Sequence, residues 1–155
     1  MAKGKSGLSS SGGGAFGSKS SISSEISALP ALTGSEKQVS WANDIRKSTF
    51  ESFNELASEK GMEYVAGRLH SGVKPWDTKS GGYYIDEFYD TRKSVKDVQK
   101  EYTKAFNETK QEYIDRYKTS KMQSASAVIS ARGTLNKSSI ASDIADKLYK
   151  MDDWW

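Results

Sequence analysis

Side chains with chemical potential are few and poorly grouped in this chain of 155 residues. His70 is its one histidine, and Ser71 stands beside it. Sequence neighbours do not make a nucleophile, a base and an orienting acid, so the pair predicts no hydrolytic triad. At a helix end before Gly72, His70 fits better as a partner of the helix dipole. Asp86 and Asp90 lie four apart, with Glu87 between them, and on one helix face such a pair could hold a hard cation such as Mg²⁺. Acids in the first turns of a helix also serve the dipole, and no second acidic cluster supports them. Gly12, Gly14 and Gly17 satisfy G-x-G-x-x-G, but Ser9, Ser10 and Ser11 precede them where a dinucleotide site needs a buried strand. Zero cysteine removes disulfides, thiolate metal sites and thiol nucleophiles. No catalytic residue, cofactor or metal site is predicted.

The elements that would have to position a site are helical. Ser35 and Gln38 form an S-x-x-Q capping box, which makes Ser35 the expected N-cap. Val39, Ala42, Ile45, Thr49, Phe53 and Leu56 then recur every three or four residues up to Gly61. That spacing predicts a helix over about 36–60, with Trp41 and Phe50 widening its buried face. Met62, Val65, Ala66 and Leu69 predict a shorter helix ending at Gly72. Residues 71–82, SGVKPWDTKSGG, read as a loop, and Trp76 in it either plugs the core or faces a ligand.

From Tyr83 to Arg132 there is neither glycine nor proline. The apolar pattern predicts a short helical segment over 84–91 and a long helix over about 93–120. A further helix is expected over roughly 123–132, stopped by Gly133; continuity through 119–124 is open. Ser138 or Ser139 should cap a last helix carrying Ile140, Ile144, Leu148 and Met151. Alternating β-branched runs are absent, so little or no sheet is expected. The fold class is therefore all-α, a small helical bundle with one long helix.

Charge divides the chain more sharply than its formal +3 suggests. Residues 1–24 hold Lys3, Lys5 and Lys19 and no acid, with six glycines and nine serines. So few large apolar groups cannot offset an ordering cost of roughly 1–2 kcal/mol per residue. We therefore expect a flexible basic arm over 1–28 and a single helical domain over 29–155; the charges of 25–155 balance, 20 basic against 20 acidic. The start lacks the apolar stretch of a secretory signal, and no run approaches the roughly 18 apolar residues that span a bilayer. Both point to an intracellular chain with no membrane partner.

The long helix carries the clearest electrostatic pattern. Its apolar positions (Val95, Val98, Tyr102, Phe106, Thr109 and Tyr113) occupy one arc of the helical wheel. Lys93, Lys96, Lys100, Lys104, Lys118 and Lys121 lie on a second arc, with Lys96, Lys100 and Lys104 in register at i,i+4, while Asp97, Glu101, Glu108, Glu112 and Asp115 lie on a third. Like charges at i,i+4 cost a few tenths of a kcal/mol each, so a sorted ridge suggests a phosphate backbone as partner. A solvated face is the competing explanation. No helix-turn-helix, zinc-finger or RNP signature points to base-specific reading. Trp154 and Trp155 are the last two residues of the sequence, and either pack on the bundle or anchor a partner.

Residues 32–46 follow the pattern L-x-G-S-E-K-Q-x-x-W-A-x-x-I-R. This resembles the opening helix of small helical proteins and domains of bacteriophages and mobile elements. Residues 127–132, AVISAR, are similar to the later helix of that group, which implies packing of 36–60 against 123–132. The resemblance implies a viral or mobile-element origin, the cytoplasm of an infected bacterial host, and no catalytic residues. In size and composition the chain also looks like anti-CRISPR inhibitors of RNA-guided nucleases. The expectation is a non-enzymatic binder of a host defence nucleoprotein, contacting it through Lys3, Lys5, Lys19, Trp76, Lys96, Lys100, Lys104, Trp154 and Trp155. A protein binding DNA or RNA directly, without sequence preference, is the alternative.

Overall fold

The computed structural model describes residues 16–68, 82–86 and 91–150. Within them, helix α1 (Ile22–Ser27) leads to α2 (Glu36–Leu56) and α3 (Glu59–Ala66). Strands β1 (Gly82–Asp86) and β2 (Thr91–Ser94) precede the long helix α4 (Val95–Tyr117). Helices α5 (Ala125–Ser130) and α6 (Lys137–Tyr149) complete a small all-α bundle to which one short hairpin is added.

α2 starts as its capping box dictates. The Ser35 hydroxyl accepts from the Gln38 amide at 3.2 Å, and the Gln38 side chain accepts from the Ser35 amide at 3.3 Å. Its end differs from expectation. Ala57 leaves the helical conformation, and Ser58 caps α3 by accepting from the Gly61 amide at 3.0 Å. Gly61 therefore lies inside α3 rather than terminating α2. A Cβ there would sit 2.4 Å from the Leu56 carbonyl oxygen, so the glycine permits the close approach of two helices. Gly61→Ala is expected to destabilise by about 1–3 kcal/mol in thermal or urea unfolding, despite alanine's better helix propensity.

The segment expected to be helical over 84–91 contains an antiparallel hairpin instead. Gly82 pairs with Ser94, Tyr83 with Lys93, Tyr84 with Arg92, and Asp86 with Thr91, with an irregularity between Tyr84 and Asp86. Aromatic and β-branched residues after a glycine pair favour strand, and so short an apolar run has no decisive period. Ser94 then caps α4 by accepting from the Asp97 amide at 3.2 Å. Asp86 consequently sits in a strand, which removes the helix-face pairing with Asp90. Asp90, His70, Ser71, Gly12 and Gly14 lie outside the described residues.

The core is aromatic along α2 and α4. Phe53 is fully buried, its ring edge-on to Phe106 at 5.5 Å and to Tyr113 at 5.4 Å. Tyr102 donates to the Leu56 carbonyl at 2.7 Å, and the Tyr117 hydroxyl lies 2.7 Å from that of Thr49. Ile140, Ala141, Ile144, Ala145 and Leu148 bring α6 against this layer. Asn136, not a serine, caps α6 by accepting from the Ser139 amide at 2.9 Å. Asn serves an N-cap as well as Ser, and Ser138 and Ser139 fall in the first turn. Helicity breaks at a 3-10 turn, Lys121–Gln123, where Met122 is buried.

Burial pushes the Tyr102 and Tyr117 phenols above the ordinary value near 10. The native state thus keeps two protons that an unfolded chain releases once pH exceeds about 10. Their contribution is complete below that pH and lost as pH rises through the higher native values. Urea unfolding at a series of alkaline pH values should show these two phenols alone lowering stability by up to about 2.7 kcal/mol per pH unit above pH 10, with Tyr113, also raised by burial, adding to the fall.

The boundary of the N-terminal arm also moves. Residues 16–28, expected within it, are packed on the helices. Phe16 is buried with its ring 6.0 Å from Tyr102. Gly17 has φ +107, and a Cβ there would fall 2.6 Å from the Phe106 ring. Its amide donates to the Thr103 hydroxyl at 3.2 Å. Ser20 and Asn54 exchange two hydrogen bonds, at 3.0 and 2.8 Å, and Lys110 reaches Ser20 at 2.6 Å and Glu25 at 3.4 Å. Average composition hid this docking, because one aromatic and one glycine suffice when a fitted groove awaits them.

Candidate nucleic-acid interface

α4 is three-sided, as its wheel implied. Val98, Tyr102, Ala105, Phe106, Thr109, Tyr113 and Tyr117 are buried. Lys96, Lys100 and Lys104 are exposed, at steps of about 6 Å along the axis. Glu112 on the acidic side pairs with Lys147 at 2.8 Å. Asp97 occupies the first turn, where the helix dipole favours it.

The ion pairs between described residues also include Lys110–Glu25, Lys137–Glu55 at 3.1 Å and Lys150–Asp146 at 3.1 Å. None of them includes a ridge lysine. Elsewhere, several of the body's lysines are neutralised locally, whereas three like charges in register on α4 are left without a counter-ion among the described residues. Lys19 is exposed on the stretch fastened to α4 at Thr103 and Lys110. The fold thus brings Lys19 to the helix that bears the ridge. Lys3, Lys5, Trp76, Trp154 and Trp155 lie outside the described residues.

The stretch 32–46 works as a packing module. Gly34, at φ +137, lets the chain enter α2 beside Ala125, and Thr33 bridges to Ser124. α2 and α5 pack together, as the resemblance implied. Arg46 is 2% exposed; it donates to the Pro30 carbonyl at 2.8 Å and lies 5.7 Å from the Tyr117 ring centre. Its Nε and Nη2 find no acceptor among the described residues, and desolvation lowers its pKa below the ordinary value.

Two features escaped sequence reasoning. Trp41, expected on the buried face, is 49% exposed, with the Arg132 guanidinium 5.3 Å from its ring centre. The wheel contained the signal: Trp41 stands next to Ala42, about 100° from the line through Ala42, Thr49 and Phe53. The second feature is a cleft of about 470 Å³ between the end of α4, the turn at 121–123 and α5. No local pattern could reveal it, because Arg116 and Lys121 meet Ser126 and Ser130 there only through the fold.

Among the described residues, no three histidine, aspartate or glutamate side chains gather as metal ligands would, and no helix is long and apolar enough to cross a membrane. No family model, curated protein or solved structure matches the chain. Kinship therefore supplies no function, and the surface chemistry has to.

Proposed function

We propose that this chain is a non-enzymatic binding protein whose partner carries nucleic acid, and that Lys96, Lys100 and Lys104 lie along its phosphates. The observation behind this is the exposed ridge, which has no counter-ion among the described residues, in a body that pairs several of its other lysines internally. A phosphate backbone relieves the mutual repulsion of such a ridge and gains entropy by releasing its own condensed counter-ions. The resemblance over 32–46 suggests a phage or mobile element as source. In that setting the partner is a host defence nucleoprotein, and the most concrete version is an anti-CRISPR inhibitor of an RNA-guided nuclease. Direct, sequence-independent binding to DNA or RNA is the second reading, favoured by the same ridge.

Salt separates the two. Three phosphate contacts give a log–log slope near −2.7, so free duplex binding should weaken about 40-fold between roughly 50 and 200 mM salt. An inhibitor should hold a guide-loaded nuclease at the higher salt and block its cleavage. Failure to bind duplex, single strand or guide-loaded nuclease at the lower salt would end both readings.

A further inference from the structure

Two features that the bundle does not use lie beside Ala131 and Arg132, just past the end of α5. One is Trp41, half-exposed under the Arg132 guanidinium. Arg132 is itself held, donating to the Ile129 carbonyl at 2.7 Å. The indole is thus fixed by a cation on one side, with much of its surface left in water. The other is the cleft, whose polar lining is Arg116, Thr119, Lys121, Ser126 and Ser130, with no carboxylate. Arg116 spends two nitrogens on Thr134, at 3.2 and 2.6 Å, while Lys121 forms no ion pair with a described residue.

We propose that these two features form a binding site for single-stranded nucleic acid. One base stacks on Trp41, and a phosphate nearby along the strand occupies the cleft beside Lys121. The proposal rests on the nucleic-acid reading above but uses residues separate from the ridge, and it specifies the strandedness of the ligand.

Three physical points lead to that ligand. A tryptophan clamped by an arginine offers a preorganised flat surface, and every base has a face that can stack on it. In a duplex those faces are covered by neighbouring pairs, so the surface selects unpaired strands. The cleft adds positive charge and hydroxyl donors without an acid, which suits phosphate rather than the apolar anchor of a protein partner. The span is also short: Ala131 lines the cleft and its neighbour Arg132 covers Trp41, so a strand joining the two needs only a few nucleotides. Asp44, one turn beyond Trp41 on α2, is not part of the cleft lining.

The test uses the full chain and fluorescence anisotropy. Its ligands are a labelled oligothymidylate, a matching oligomer with abasic sites, and a labelled duplex. The wild type should prefer the oligothymidylate. Trp41→Ala should weaken oligothymidylate binding about tenfold, while leaving the abasic strand and the duplex nearly unchanged. Trp41→Phe should retain most of the affinity, which separates stacking from a folding defect. Lys121→Glu should weaken both single strands. Charge reversal on the ridge should weaken all three ligands together.

If wild-type binding is present and Trp41→Ala leaves the oligothymidylate unaffected, the strand site is wrong and the ridge reading stands. If Trp41→Ala abolishes binding to guide-loaded nuclease but not to the oligomer, the Trp41 surface is a protein contact and the proposal is overturned. If no nucleic acid binds the wild type, the strand site and the nucleic-acid reading both fall.

Discussion

Phe53→Ala is expected to lower the unfolding free energy by about 3–5 kcal/mol. Phe53 has no solvent exposure and sits edge-on to two rings, Phe106 and Tyr113, which come from α4 while Phe53 comes from α2. Truncation removes the transfer free energy of the ring, both aromatic contacts, and the packing that joins the two longest helices. The cavity has little prospect of collapse. Phe106 is also held against Gly17, and Tyr113 donates to Asp143 at 2.6 Å, so neither neighbour can move in without breaking another contact. Domains of this size are stable by only about 5–15 kcal/mol. The urea midpoint should therefore drop sharply with little change in slope. A loss under about 1 kcal/mol would show that the aromatic layer is not the centre of the core. Phe53→Leu, which refills part of the volume, should recover a large share.

Reversing Lys96, Lys100 and Lys104 to glutamate should have the largest effect on binding. Each lysine on a phosphate contributes about 0.9 to the salt slope, so losing three should flatten it by about 2.7. At roughly 100 mM salt the affinity for duplex or single-stranded DNA should fall by more than 100-fold, because three attractions become repulsions. Folding should survive. All three side chains are exposed, and residue 96 lies in the first turn of α4, where a carboxylate suits the helix dipole. Lys137→Glu is the matched control: that lysine already pairs with Glu55, and its reversal should leave the salt slope intact. Equal losses from Lys137→Glu and from the ridge would reduce the ridge to one part of a general positive field.

Features set by neighbouring residues were readable in advance. The Ser35–Gln38 box forms because the two side chains reach backbone groups three residues away, whatever surrounds them. The stripe from Val98 to Tyr113 and the ridge beside it follow from one helical period acting on a long segment without glycine or proline. Features that depend on a distant surface were not readable. Gly61 resembled a stop signal, yet its role is set by the Leu56 carbonyl against which α3 packs. Residues 84–91 were too short to show a period, and the pairing of 82–86 with 91–94 decided the state of the described residues there.

The candidate site divides in the same way. The types and order of its charges belong to the sequence, as do the all-α class and the sorting of lysine from acid along α4. Their consequences needed the tertiary structure. Which lysines are neutralised depends on partners as distant in the chain as Glu25 from Lys110, or Glu55 from Lys137. Trp41 is exposed because α5 covers the neighbouring face of α2 and leaves the indole to Arg132. Residues 16–28 pack because α4 offers a groove at Tyr102 and Phe106 that no inspection of a Gly/Ser-rich stretch could contain. Helical period and capping act over three or four residues, so the sequence determined them by itself. Burial and ion pairing are properties of surfaces brought together from far apart, and only the assembled fold could decide them.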